Sequence, residues 1–250
     1  MTQGLFADDS VTRRVNSEGV LGLGGGRALL MQLAHPAVAE GVANHSDFET
    51  DPFGRLRRTI EAETTLVFGT VEEAYATAAR IRAVHERVTG AGYQANDPEL
   101  LLWVHATLVD TALRVYTRFV RPLRRNEAEA YYDESTRLAE LLGVPRHRLP
   151  GDYAEFRSYV REMVATLEVS DVARELARKI FRESAPWVVS PAFALAEQIT
   201  VGLLPRPLRV QYGFRWDRPR KAVLLAAGAV SRATLPWVPP PVRHAVVALS

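Results

Sequence analysis

Arg82-Ala83-Val84-His85 puts an imidazole on the apolar stripe of a helix with a guanidinium one turn before it. Thr70-Val71-Glu72-Glu73 has the pattern of a capping box, and Val71, Ala74, Ala78, Ile81, His85 and Val88 follow at helical spacing to Gly90, which is placed to end the element. A histidine on such a stripe faces the core and needs a hydrogen-bond acceptor or a metal. Arg82 keeps its charge and needs an anionic partner wherever it is buried. Haem would meet both demands, with iron for the ring and a propionate for the guanidinium. A core histidine on a carbonyl beside a surface arginine meets them as well, and this helix alone leaves both readings open.

Three further groups could carry chemistry. Arg55, Arg58 and Thr59 stand at i, i+3 and i+4, so two guanidiniums and a hydroxyl share one side of a helix, as an anion site or polar pocket wall, or as a solvated basic face. His105 lies among Leu101, Leu108, Val109 and Ala112, and His35 among Met31, Ala34, Val38 and Val42. Both are buried by pattern, as core packing or as second candidate ligands. His45 and His147 sit in polar and basic surroundings and receive no role.

Other chemistries fail on their own motifs. No histidine has a glutamate three positions before it, which removes the carboxylate di-iron pattern, and His85-Glu86 has Thr89 where a zinc protease needs its second histidine. Gly22-Leu23-Gly24-Gly25-Gly26 lacks the preceding strand and the spaced final glycine of a dinucleotide fingerprint, so a helix entry is the plain reading. No Gly-x-Ser-x-Gly elbow occurs. The chain has no cysteine, so disulfides, thiolate catalysis and thiolate-ligated haem are excluded.

The elements that must position these residues are helices. Two hundred and fifty residues at 47% hydrophobic content can bury a large core. Helical patterns are expected at about 27–42 with a break at Pro36, from Asp51-Pro52 to about Val67, from Thr70 through His85, from Asp97-Pro98 to about Val120, and at about 126–142, 152–166 and 171–182. The Asp97–Val120 segment is apolar on most sides and is expected at the centre. Strand alternation is scarce. The expected architecture is all-α and single-domain: a leader at 1–20, a helical catalytic domain at 21–184, and a Pro-rich, partly helical C-terminal subregion at 185–250 packed on it.

With 31 basic and 29 acidic residues, nothing in the overall charge calls for nucleic acid. Neither a signal-peptide pattern at Met1–Asp9 nor an apolar run long enough to span a bilayer is present, so a cytoplasmic protein is expected.

Gln32-Leu33-Ala34-His35-Pro36, Arg55-x-x-Arg58-Thr59, Arg82-x-x-His85 and Asp97-Pro98-Glu99-Leu100-Leu101-Leu102-Trp103-Val104-His105-Ala106 together resemble the rubber-oxygenase (latex-clearing-protein) and MpaB-like family over residues 20–165. The resemblance implies an all-helical b-type haem protein that uses O2 on an isoprenoid-like, apolar alkene. It places the proximal iron ligand at His85, with Arg82 beside it as propionate or orientation partner, and the distal wall at Arg55, Arg58 and Thr59. His35 and His105 fall at the haem pocket wall. Where rubber oxygenases carry a lysine able to cap the iron, this chain has Arg58, which cannot ligate because it does not deprotonate. The family's carboxylate base has Glu40 nearest in register. The partners implied are O2 and a small apolar substrate, without nucleic acid. Alternatives are a non-catalytic haem- or lipid-binding protein, and a peripheral membrane contact through Trp187–Pro241 with Trp216 and Trp237 exposed.

Overall fold

Local signals set most helix boundaries. The computed structural model describes residues 4–45, 52–182 and 191–244, with the side chains of 52–57, 181–182 and 191–192 set aside. Helix α1 (Val11–Asn16) is followed by a 3₁₀ segment (Gly19–Gly24), α2 (Gly25–Leu33) and α3 (Pro36–His45). The break before Pro36 falls where proline removes a backbone donor and crowds the preceding turn. Helix α4 (Pro52–Phe68) starts at the expected proline, whereas Asp51, expected as its cap, lies outside the described residues. Helix α5 (Val71–His85) opens with the expected box: the Glu73 amide donates to Thr70 Oγ1 (3.2 Å) and the Thr70 amide to Glu73 Oε2 (2.8 Å).

Two expectations for α5 need correction. Gly90 does not end the helix, which stops at His85; Gly90 belongs to a short antiparallel hairpin of β1 (Thr89–Gly90) and β2 (Tyr93–Gln94). The Val88 amide closes a tight turn onto the His85 carbonyl, and the Val88 carbonyl accepts from Ala95 (3.0 Å), so the chain leaves the helical path early. The apolar stripe is also shorter than its pattern: Ala74 and Ala78 are fully buried, Ile81 and His85 are half-buried, and Val71 is exposed.

Helix α6 (Pro98–Phe119) carries the molecule. Asp97 caps it through the Glu99 amide (2.8 Å), and proline occupies the first turn. Its buried residues run on nearly every side, from Leu100 through Trp103, Ala106 and Val109 to Tyr116 and Phe119, as its sequence requires. Around it stand α7 (Arg125–Leu142), closed by Gly143 in the left-handed region (φ 114°), then α8 (Tyr153–Thr166) and α9 (Asp171–Arg182). Glycine has no side chain to clash in that conformation, which makes it the natural stop.

Gly24, just before α2, and Gly26, in its first turn, serve packing. A Cβ on Gly24 would come within 2.6 Å of Thr111 on α6, and one on Gly26 within 2.5 Å of Thr200. They let backbones approach and leave no phosphate-loop geometry.

The C-terminal subregion consists of α10 (Pro191–Leu203), α11 (Arg206–Gln211), α12 (Arg218–Thr234) and α13 (Pro240–Arg243), laid on the same core. Ile199 and Leu224 pack with Val115 and Phe119. Arg243 Nε donates to the nearly buried Glu18 carboxylate (2.8 Å), tying the chain's two ends. The N-terminal segment read as a leader holds α1, whose amides at Val11 and Thr12 are capped by Glu134 of α7, and Val15 is fully buried.

Candidate functional site

Helices α4 and α5 form a hairpin about Gly69-Thr70, closed by Leu66, Ala74 and Ala78 in one apolar cluster with Leu138 and Leu141 of α7. At comparable rise from that turn, His85 comes level with the first turns of α4, where Arg55 stands. The Arg55 side chain lies outside the described residues. Arg58 and Thr59 both keep open surface on α4.

His85 is the last residue of α5 and its ring is half-buried. Burial lowers its pKa below the ordinary value, so the ring is neutral near pH 7, while the neighbouring Asn96 amide acts in the opposite direction. Two buried atoms here lack a conventional hydrogen bond, His85 Nδ1 and Asn96 Oδ1, one able to donate and the other to accept. Asn96 is itself held, since its Nδ2 donates to the Arg82 carbonyl (3.0 Å). The Arg82 guanidinium donates to the Leu141 carbonyl at the end of α7, so it clasps α5 to α7 and steadies the helix turn that carries His85.

Residues 96–99 act on both His85 and His35: Asn96 on the first, Asp97 and Glu99 on the second. His35, at the α2–α3 break, is half-buried with an unpartnered Nδ1; burial lowers its pKa, and Asp97 and Glu99 pull it back up. His105, two turns into α6, is buried with Nε2 unpartnered, and burial alone pushes its pKa down to about 4. Three neutral imidazoles with an unsatisfied buried nitrogen each are costly to leave unmatched. Among the described residues no three His, Cys, Asp or Glu are grouped to hold a metal by protein ligands alone. Glu40, on α3, is half-buried and lies within 3.5 Å of Asn44 Nδ2.

Glu63 is a residue the sequence pattern did not single out. On the α4 wheel it lies between Leu66 and Val67, both buried, and one turn after Thr59. Its side chain nevertheless keeps open surface, while surrounding protein pushes its carboxyl up to about 7 by desolvation. Its charge acts on buried Tyr131 of α7, whose hydroxyl accepts from Asn16 Nδ2 (3.2 Å). The only sequence signal was a glutamate where the α4 stripe calls for an apolar residue.

The sign of that shift gives a measurable expectation. With a folded pKa near 7 against an ordinary 4.5, the protonated carboxyl's contribution is fully present below pH 4.5 and is lost as pH rises through 7. Glu63→Gln keeps the neutral shape. Denaturant midpoints should therefore match wild type near about pH 5 and exceed it by about 1 kcal/mol near about pH 8, after allowing for the open surface. An equal difference at both pH values would show that Glu63 is not held protonated.

A family model described as ER-bound oxygenase mpaB/B'/rubber oxygenase, catalytic domain, matches residues 12–233. The chain belongs to this oxygenase family. The match runs from α1 almost to the end of α12, so it takes in the C-terminal subregion through residue 233 as well as the residues 20–165 that carry the motifs. Uncharacterized proteins of Mycobacterium bovis and of Mycobacterium tuberculosis are each 27% identical over 206 residues, spanning 77% of this chain and 80% of theirs. No solved structure matches the chain. As a mpaB/rubber-oxygenase family member, the protein is an all-α oxygenase.

Proposed function

We propose that the protein is a b-type haem-dependent oxygenase acting with O2 on a small, apolar, isoprenoid-like alkene. The observation that carries this reading is His85: a neutral, half-buried ring at a helix end, with Asn96 against it and an unmatched buried nitrogen. Such a ring fits a haem ligand, because ligation requires the deprotonated form and a neighbour that holds the ring's orientation. His85 would hold the iron, with His35 and His105 at the wall. Bound haem would supply the redox chemistry that activates O2 toward a carbon–carbon double bond.

The chain's own residues have distinct tasks. Arg82 fixes the α5 terminus through Leu141 and Asn96, and so serves orientation. Arg58 and Thr59, with Arg55 on the same side of α4, present donors that stabilise negative charge developing in the pocket. Arg58 remains a donor only, since its guanidinium does not deprotonate. Glu63, protonated over much of the acid-to-neutral range, can hold a proton at its carboxyl one turn after Thr59 on the same helix face.

Protein purified from haem-sufficient cells is expected to show a Soret band that shifts on reduction. With squalene it should consume O2 and yield carbonyl products detectable by mass spectrometry. Stoichiometric protein without haem would overturn the proposal. Haem with no O2 uptake on any apolar alkene would instead support non-catalytic haem binding.

A further inference from the structure

Helix α12 reverses the usual rule for a surface helix. Its inward side is Leu224 and Gly228, the latter so close to α6 that a Cβ there would meet Arg118 at 2.8 Å. Ser231 Oγ donates to the Phe119 carbonyl (2.8 Å) and fixes the rotation of the helix about its axis. The outward side is then Ala222, Val223, Ala226, Ala229, Val230 and Ala233, all exposed, with no charged residue among them over three turns. Val230 is 61% exposed, and Trp237, just past the helix, is 86% exposed. A helix that ends in water ordinarily carries its polar residues on this side.

The charge around this face is one-sided. Between Leu204 and His244 stand eight of the 31 basic residues and a single acid, Asp217, so this region is net +7 while the remainder of the chain is net −5. Arg215, Arg218 and Lys221, all exposed, lie at the N-terminal end of the apolar face. An apolar stripe with cations at one end and an exposed tryptophan at the other matches the headgroup region of an anionic bilayer, where the stripe enters the acyl boundary and the cations meet phosphates. A nucleic acid would engage the cations and leave the alanine–valine face wet. A second copy would cover that face only by apposing two strongly basic regions.

We propose that α12 and Trp237 form a peripheral docking surface for anionic lipid membranes, so that the protein works at a bilayer surface. No helix among the described residues is long and apolar enough to cross a membrane, so contact of this kind is in-plane. The inference stands whether or not the haem assignment holds.

The test is flotation of the full chain with vesicles of phosphatidylcholine alone and of phosphatidylcholine mixed with phosphatidylglycerol. Wild type is expected to float with the mixed vesicles and to remain largely free with phosphatidylcholine. Val230→Asp and Trp237→Ala should each reduce partitioning about tenfold. Arg218→Gln and Lys221→Gln should each reduce it about fivefold, and only on anionic vesicles. All four side chains are exposed, so unchanged circular dichroism is expected. Wild type that stays free of both vesicles overturns the proposal, as do variants that float like wild type. So does a dimer in light scattering that Val230→Asp splits, which would assign the face to a second copy.

Discussion

His85→Ala purified from haem-sufficient cells should contain no haem, with its Soret band absent and its helical circular dichroism unchanged. The loss should be near complete, because on the proposed assignment His85 is the sole protein ligand to the iron, whereas the cost to the fold is small for a half-buried ring at a helix end. Asn96→Leu is the companion variant. It removes the amide beside the His85 ring and the tie to the Arg82 carbonyl, and should weaken haem retention by roughly tenfold to a hundredfold without abolishing it. Haem titration into the haem-free protein reads both effects without any substrate. If His85→Ala keeps the Soret band and His105→Ala or His35→Ala loses it, the ligand assignment moves to that residue and the proposed axial role of His85 is wrong.

Arg27→Met is expected to lower stability by about 3–5 kcal/mol, read as a fall in the denaturant midpoint. Arg27 is fully buried in α2 and spends its donors on three partners: Asp110 and Thr111 of α6, and the Leu203 carbonyl at the end of α10 (2.8 Å to Nε). Desolvation lowers its pKa to about 10, which still leaves it charged at neutral pH. Burial also works against the Asp110 carboxylate, yet Arg27 and Arg114 together hold its pKa below the ordinary value. Methionine fills much the same volume but leaves a buried hydroxyl and carbonyl without their donor and Asp110 with Arg114 alone. Arg27→Met combined with Asp110→Leu should recover part of the loss, since an apolar pair replaces an ion pair at little cost. A single variant with an unchanged midpoint would mean that the pair contributes nothing net. Helix α2 and the C-terminal helix α10 meet at this residue, so its loss should also loosen α10 from α2.

The sequence's legible part was its local chemistry. Proline at the starts of α3, α4 and α6, the box at Thr70 and the cap at Asp97 act within one helical turn, and the helix starts they imply hold to within a residue or two. The apolar stripes of α6 and α7 are equally readable, because one periodicity carries both secondary structure and burial. His35, His85 and His105 were each found as imidazoles on apolar stripes, and each keeps an unpartnered buried nitrogen.

What the chain alone did not disclose depends on which surfaces meet. Arg82 was an arginine one turn before a histidine; only the packing of α5 on α7 sends its guanidinium to Leu141. Asn96 sat unremarked before a helix cap until the β1–β2 hairpin folded it against His85. Trp216, expected on the surface, is half-buried because Gly202 leaves room for its ring and Arg209 lies over it, 4.7 Å from the centroid. Trp187 falls outside the described residues. Glu63 and Arg27 are charged residues whose types suggest water, yet desolvation holds one carboxyl well above its ordinary range and the other side chain is fully enclosed.

Helix starts, stops and candidate ligands were settled by interactions a few residues long, which the order of residues contains in full. The direction each charged side chain faces was settled by the arrangement of helices around α6. That arrangement is a sum over contacts between residues tens to nearly two hundred positions apart, such as Arg27 with Leu203, and no local pattern encodes it.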